Sequence, residues 1–305
     1  MFKVNVSNHY CSEINPDSFL KKVNSSVVNL LYRNNEVFQI LIKTLSNNLS
    51  SELSSSCFKV LREELEYCCL NIPNFEIKFM LCEQITTFIR KQDYLANIGR
   101  GSSASSLICY GLGITNINPI KYNLDWRRFL TTGFEIDIDI PGEVRDDLNK
   151  YLKQTYPDNF YFLGSIQNFR MKTAATEVLN KIGWSFSAVA VVTKELDQQC
   201  KELGYESTQL SDPMSFVEVY QLSQILQLVF KQQEQLVDEI KKTMSLIKNY
   251  GVHPSAYLFT EKKLSKEELI SVHNRETDSI AHPDQRDNSE NIVINILGLG
   301  VLSDV

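Results

Sequence analysis

Residues 133–141 read GFEIDIDIP, and in them acids alternate with apolar residues: Glu135, Asp137 and Asp139 against Phe134, Ile136, Ile138 and Ile140. A period of two is the pattern of a β-strand, whose successive side chains point to opposite faces. One face then enters a core while the other stacks three like charges, which gains nothing from neighbour interactions. The chain must therefore supply a sheet with one face covered and the other open to water or to a cation. These residues alone leave both readings open, a solvated strand edge and a metal site.

The rest of the 305-residue chain surrounds such a strand with helical patterns. Residues 1–56 are rich in Asn and Ser around one apolar, helical stretch from Val27 to Leu45. Residues 57–72 and 75–92 carry apolar residues at helical spacing, with Pro73 and Asn74 as a break between them. Residues 98–114, IGRGSSASSLICYGLGI, read as a glycine loop leading into a small-residue helix that ends at Gly111 or Gly113. Beyond the acidic strand, residues 142–157 read as a helix stopped by Pro157, and 170–205 as mainly helical. Residues 211–251 read as a long helical pattern with an Asp-Pro start, one break and a glycine stop, and 255–261 and 291–299 as strands. Helices lying between and after strands predict an α/β or α+β core with a helical insertion.

Composition narrows the function classes. Apolar residues make up 43% and charged residues 22%, ordinary for a globular protein. There is no apolar run of about 18 residues, so no membrane partner is expected. The first residues, MFKVNVSNHYCSEINPD, lack the apolar segment of a signal peptide, so the expected location is cytoplasmic. The seven cysteines form no CxxC pair and the four histidines no HExxH, which favours reduced, buried thiols over a zinc centre. A net charge of −6 argues against a generic basic nucleic-acid coat but leaves room for a local basic groove.

Two motifs carry chemistry. Hard divalent cations want oxygen ligands, and two carboxylates at i and i+2 on a strand can share metals in polymerase- and nuclease-like sites. Glu135, Asp137 and Asp139 stand at this spacing. In GRGSSASS, residues 99–106, Gly99 and Gly101 let backbone N–H groups approach an anion. The helix start that follows adds positive charge, Ser102 and Ser103 add hydroxyls, and Arg100 adds a guanidinium. The Walker pattern GxxxxGK[ST] is absent from this loop. A glycine turn before a helix fits the loop equally well when it is read alone. Together, an anion cradle followed by an Asp-x-Asp strand is what metal-assisted phosphoryl or nucleotidyl transfer needs.

The stretch NIGRGSSASSLICYGLGITNINPIKYNLDWRRFLTTGFEIDIDI, residues 97–140, closely resembles the palm of the bacterial replicative DNA polymerase III alpha subunits, the C family. Flanking segments keep the family order. LREELEYCCLNIPNFEIKFMLCEQITTFIRKQ is similar to the helices before the glycine loop, and GEVRDDLNKYLKQTY to the Arg-containing helix after the aspartates. QNFRMKTAATEVLNKIG resembles the start of the thumb, YGVHPSAYLF a His-containing strand, and ENIVINILGL the strand that returns the third catalytic aspartate. The resemblance covers about residues 57–305. It implies an α+β, polymerase-beta-like nucleotidyltransferase palm, a mixed sheet with flanking helices, carrying a helical thumb insertion. Residues 1–56 would be an N-terminal, mostly helical extension, 57–169 the first part of the palm, 170–250 the thumb-like insertion and 251–305 the returning palm strands.

Carried across by position, the resemblance makes Asp137 and Asp139 the catalytic metal ligands and Glu135 a secondary acid, with Mg2+ or Mn2+ as cofactor and a nucleoside triphosphate as substrate. Gly99, Arg100, Gly101, Ser102 and Ser103 would hold the nucleotide, with Arg128, Arg145 and Lys172 as further phosphate contacts or structural ion-pair partners. His253 is read as packing around the palm. The third aspartate position falls on Asn295, a neutral amide that binds Mg2+ weakly and takes no proton; Glu135 and Asp287 are the acids that could complete the site. No counterpart of the family's fingers or of its amino-terminal phosphoesterase-like domain is expected within these residues. The leading expectation is nucleotidyl transfer from an NTP to a hydroxyl of a non-templated acceptor: a small molecule, a protein or a nucleic-acid end. The alternatives are a non-catalytic palm homologue that binds nucleotide or a partner protein, and a small gap-filling or terminal-extending DNA polymerase.

Overall fold

The computed structural model describes residues 16–49, 55–96, 99–131, 133–205, 211–272 and 280–299. Its Cα packing separates two compact units, one of residues 1–163, 253–269 and 277–305, the other of 164–252 and 270–276.

The first unit opens with helices α1 (Pro16–Val23), α2 (Ser26–Asn34) and α3 (Glu36–Leu49). Ser25 starts α2 by accepting the Val28 N–H, and Asn35 does the same for Phe38 at the head of α3. Next come α4 (Ser55–Asn71) and α5 (Phe75–Arg90), separated as the Pro73–Asn74 break predicts, with Asn74 in the left-handed region at φ 55°. The glycine loop runs through a 3-10 turn, Ser102–Ser105, into a five-residue helix α6 (Leu107–Gly111), and α7 (Arg127–Leu130) packs beside that turn.

The acidic strand β1 spans only Asp137–Pro141. The alternation of burial starts earlier, at Phe134, but Phe134 takes φ 50° and the backbone is not yet extended there. The reason is packing. The Phe134 ring is wedged against Phe79 and Phe129, at centroid distances of 5.1 and 5.5 Å, and its carbonyl accepts from Lys78 Nζ at 2.5 Å. Glu135 therefore precedes the strand, and two acids rather than three stand on it.

The unit continues with α8 (Arg145–Thr155), and strand β2 (Phe160–Asn168) leads out of it. The second unit contains α9 (Met171–Lys181), α10 (Phe186–Glu202), α11 (Pro213–Leu222), α12 (Gln224–Phe230) and α13 (Gln235–Met244). Sequence periodicity predicts one break in this last stretch, and the structure has two. Ser223 ends α11 and caps α12 by accepting the Leu226 N–H, and a turn before Gln235 separates α12 from α13. The helices also stop at Met244 rather than at Gly251, because residues 247–251 already belong to β3 (Ile247–Phe259). A buried core that includes Leu179, Val192, Phe216, Phe230 and Ile240 holds this unit together.

Three more strands, β4 (Leu269–Ile270), β5 (Ile280–Ala281) and β6 (Ile292–Leu299), complete one mixed sheet in the order β1-β6-β3-β2-β5-β4. β6 is parallel to β1 and antiparallel to β3. Ile138, Ile140, Ile294 and Ile296 are fully buried, and α5 packs on β1 and β6. The α+β class with a mixed, helix-flanked sheet is thus the palm-like architecture that the sequence predicts. Among the described residues no helix is long and apolar enough to cross a membrane, and none of the six described cysteines forms a disulfide.

Candidate active site

The parallel register of β1 and β6 sets Asp137 opposite Asn295, and the Asn295 N–H reaches Ile136 O at 3.3 Å. Their side chains meet as well: Asn295 Nδ2 donates to Asp137 Oδ1 at 2.9 Å. The position where the resemblance expects a third aspartate therefore does lie beside the first.

Asp139 is the unusual member of the set. It is 5% exposed, and its Oδ1 accepts no hydrogen bond. Burial pushes its pKa up, Arg100 pulls it down, and Asp137 adds a smaller upward push. A buried carboxylate oxygen without a donor is costly unless a cation faces it.

The glycine loop brings that cation. Arg100 places Nη1 3.5 Å from Asp139 Oδ1 and Nη2 3.9 Å from Asp137 Oδ2. The loop can lie this close because Gly101 adopts φ 74°, ψ −170°, a region open essentially to glycine alone. A Cβ on Gly101 would sit 3.8 Å from Asp137 Oδ2, so the loop backbone runs along the carboxylate. Gly99, at φ 117°, has no room for a side chain either: a Cβ there would fall 2.2 Å from Ile117 Cγ1. Ser102 is half-buried and Ser103 buried, its Oγ directed to Arg100 O.

One expectation for the loop is overturned. The start of the helix after it does not face an incoming anion, because Glu64 of α4 already occupies it. Glu64 Oε2 accepts the Leu107 and Ile108 N–H groups at 2.9 and 3.3 Å, and Oε1 accepts the Ser106 hydroxyl. Glu64 is 0% exposed, and desolvation pushes its pKa up to about 7 against these three hydrogen bonds. Sequence reasoning missed it, although the signal was present: Glu64 shares a helical face with Leu61, Leu65 and Cys68.

The remaining expected residues scatter. Glu135 is exposed and pairs with Arg286 at 3.2 Å. Arg128 is exposed on α7, beside the Ser102–Ser105 turn. Arg145 donates to Pro254 O and lies 6.0 Å from the Tyr257 ring centroid, tying α8 to β3. His253 Nδ1 accepts the N–H groups of Ser255 and Ala256 at 3.2 and 3.0 Å, and burial followed by Arg286 lowers its pKa. These bonds shape the β3 backbone around Pro254. Lys172 belongs to the second unit, where it pairs with Asp197, and Asp287 closes the 3-10 turn Pro283–Arg286. Lys78, not singled out from sequence, is close enough to Asp137 and Glu135 for both to act on its charge, while burial lowers its pKa.

Among the described residues no three His, Cys, Asp or Glu side chains converge as a metal cluster. The donor set is two carboxylates and an amide carbonyl, and Asn295 Oδ1, like Asp139 Oδ1, is buried without a hydrogen-bond donor. Oxygen-only donors with two orphaned atoms fit a hard divalent cation such as Mg2+ or Mn2+.

A mixed sheet with two aspartates on one strand, faced by a glycine loop, is the arrangement of a polymerase-related domain. The chain belongs to the bacterial DNA polymerase III alpha family: the family model for the "Bacterial DNA polymerase III alpha NTPase domain" matches residues 35–298. The match begins upstream of residue 57, where the resemblance was placed, and takes in α3. The DNA polymerase III subunit alpha of Ureaplasma parvum is 27% identical over 211 residues, 68% of this chain and 20% of that protein. That of Mycoplasma genitalium is 32% identical over 143 residues, 44% of this chain and 16% of that protein. The error-prone DNA polymerase of Xanthomonas axonopodis pv. citri is 28% identical over 165 residues, 50% of this chain and 15% of that protein. The chain spans a fifth or less of the length of these relatives.

Proposed function

We propose that this site transfers a nucleotidyl group from a nucleoside triphosphate to a hydroxyl of a non-templated acceptor. The observation that carries the reading is the buried Asp139 Oδ1, which faces the same guanidinium as Asp137 Oδ2 along a loop that only glycine permits. Asp137 and Asp139 would hold a divalent cation, which when bound would supply charge neutralisation at the phosphates. Arg100 and the Gly99–Ser103 backbone hold the β- and γ-phosphates, with Ser102 donating its hydroxyl. The acceptor oxygen bonds to the α-phosphorus as the bond to the bridging oxygen breaks, and pyrophosphate leaves. Positioning and electrostatic stabilisation provide most of the rate enhancement.

Asn295 shapes the choice of acceptor. A carboxylate at this place would favour deprotonation of the attacking hydroxyl, and an amide does not. The hydroxyl's proton therefore leaves to a base carried by the acceptor, or the acceptor is already acidic. The Asn295 hydrogen bond to Asp137 also favours a second reading, in which the site holds a metal–nucleotide without transferring it.

The test is incubation with α-labelled NTPs and Mg2+ or Mn2+, with transferred label and released pyrophosphate as readouts. Transfer lost about 100- to 1000-fold in Asp137→Asn supports the first reading. Metal-dependent nucleotide binding without turnover on any acceptor leaves the second. Extension of a primed template, the activity that the relatives' names describe, would replace the non-templated acceptor with a DNA end.

A further inference from the structure

We infer that Glu64 is a positioning residue for the glycine loop: acting through Ser106 and Ser103, it fixes from α4 the place where Arg100 meets the two aspartates. The inference rests on the reading of residues 99–103 as a loop that holds nucleotide phosphates.

The connection runs bond by bond. Glu64 Oε1 accepts the Ser106 hydroxyl. The Ser106 N–H donates to Ser103 O at 3.1 Å, and the Ser103 hydroxyl donates to Arg100 O at 3.4 Å. Arg100 in turn stands 3.5 Å from Asp139 Oδ1 and 3.9 Å from Asp137 Oδ2. The turn between them is braced again where the Ser105 hydroxyl donates to Ser102 O at 2.7 Å. A turn with its own side-chain bonds shifts as a body, so a displacement at Ser106 reaches Arg100. The Arg100 side chain is long and half-exposed, and its reach to the aspartates depends on where its backbone is held.

Helix capping alone does not account for Glu64. Ser106 already caps α6, by accepting the Cys109 N–H at 3.0 Å. With five residues α6 is too short to hold itself by its own hydrogen bonds. Other helices hold it at both ends: Glu64 takes the Leu107 and Ile108 N–H groups, Asn48 of α3 donates to Gly111 O at 2.7 Å, and Arg90 of α5 donates to Gly113 O. A fully buried carboxyl group is costly to desolvate. What it adds to the serine cap is a fixed tie between α4 and the end of the loop.

The experiment separates nucleotide binding from metal binding. The full chain is titrated with Mn2+ alone, and with a non-hydrolysable NTP analogue in the presence of Mn2+, below the melting temperature of every variant. Glu64→Gln keeps the tie, since its carbonyl accepts the two N–H groups and its amide donates to Ser106 Oγ. Its affinity for the analogue should stay within about twofold of wild type. Glu64→Ala and Ser106→Ala cut the tie and should weaken analogue binding about 10-fold or more, with binding of Mn2+ alone undiminished. Analogue affinity at the wild-type level in folded Glu64→Ala overturns the inference, as does an equal loss of both ligands or a loss in Glu64→Gln as large as in Glu64→Ala. Should Glu64→Ala not fold, Ser106→Ala decides the matter. Failure of the wild type to bind the analogue overturns instead the nucleotide reading beneath it.

Discussion

At the scale of single residues, the site is held by groups of quite different legibility. Asp137 and Asp139 are written plainly in the alternation of GFEIDIDIP, because strand periodicity and chemistry coincide there. Gly101 is legible as a glycine, but only its φ of 74° and ψ of −170° explain why no other residue serves. Gly101→Ala should cost about 1–3 kcal/mol and weaken nucleotide binding together with stability, measurable by denaturant unfolding and nucleotide titration of the same samples. Glu64 is the residue that sequence reasoning passed over, since a helical Glu is ordinarily solvated. Its pKa, raised from 4.5 to about 7, has a stability consequence with a definite sign. The folded chain keeps a proton that the unfolded chain releases, so folding stability falls as pH rises from 4.5 to about 7 and is level above that. At about 1.4 kcal/mol per unit, the loss amounts to about 3 kcal/mol. Unfolding of wild type and Glu64→Gln from pH 4 to 8 should show this slope in the wild type alone; parallel curves would contradict it.

Between residues and the whole chain, elements decide which sequence patterns survive. The Pro73–Asn74 break, the strand at 291–299 and the helix ending at Gly111 were legible because each is set by local chemistry. Those that shifted were set by tertiary packing. β1 begins at Asp137 because the Phe134 ring packs on Phe79 and Phe129 and Lys78 holds its carbonyl, none of which a period of two encodes. Residues 247–251 are strand rather than helix because β3 runs beside β2, a pairing remote in sequence. The Asp137–Asn295 pair depends on the β1–β6 register, itself anchored by fully buried isoleucines on both strands. Ile138→Ala should lower stability by about 2–5 kcal/mol, with a reduced denaturant midpoint and unchanged slope, and should lower Mn2+ affinity by loosening that register.

Across the whole molecule, the two units have separate cores, and every residue of the proposed nucleotide site belongs to the first, with Lys172 in the second. Phe230, fully buried in the second, should cost about 3–5 kcal/mol when changed to Ala. At temperatures where both units remain folded, that variant should keep metal-dependent nucleotide binding within about twofold of wild type; a loss of binding that tracks the loss of stability would tie the site to the second core. The net charge of −6 also has a place here, since the site sets Arg100 beside two aspartates in an otherwise acidic chain.

The most direct measurement is release of pyrophosphate from an α-labelled NTP, with Mn2+ present, by wild type, Asp137→Asn and Asp139→Asn, alongside transfer of the label to an added acceptor. Metal-dependent nucleotidyl transfer at this site predicts label transfer matched by pyrophosphate in the wild type and lost at least about 100-fold in both variants. Equal release by all three proteins, or nucleotide binding indifferent to both substitutions, would contradict it.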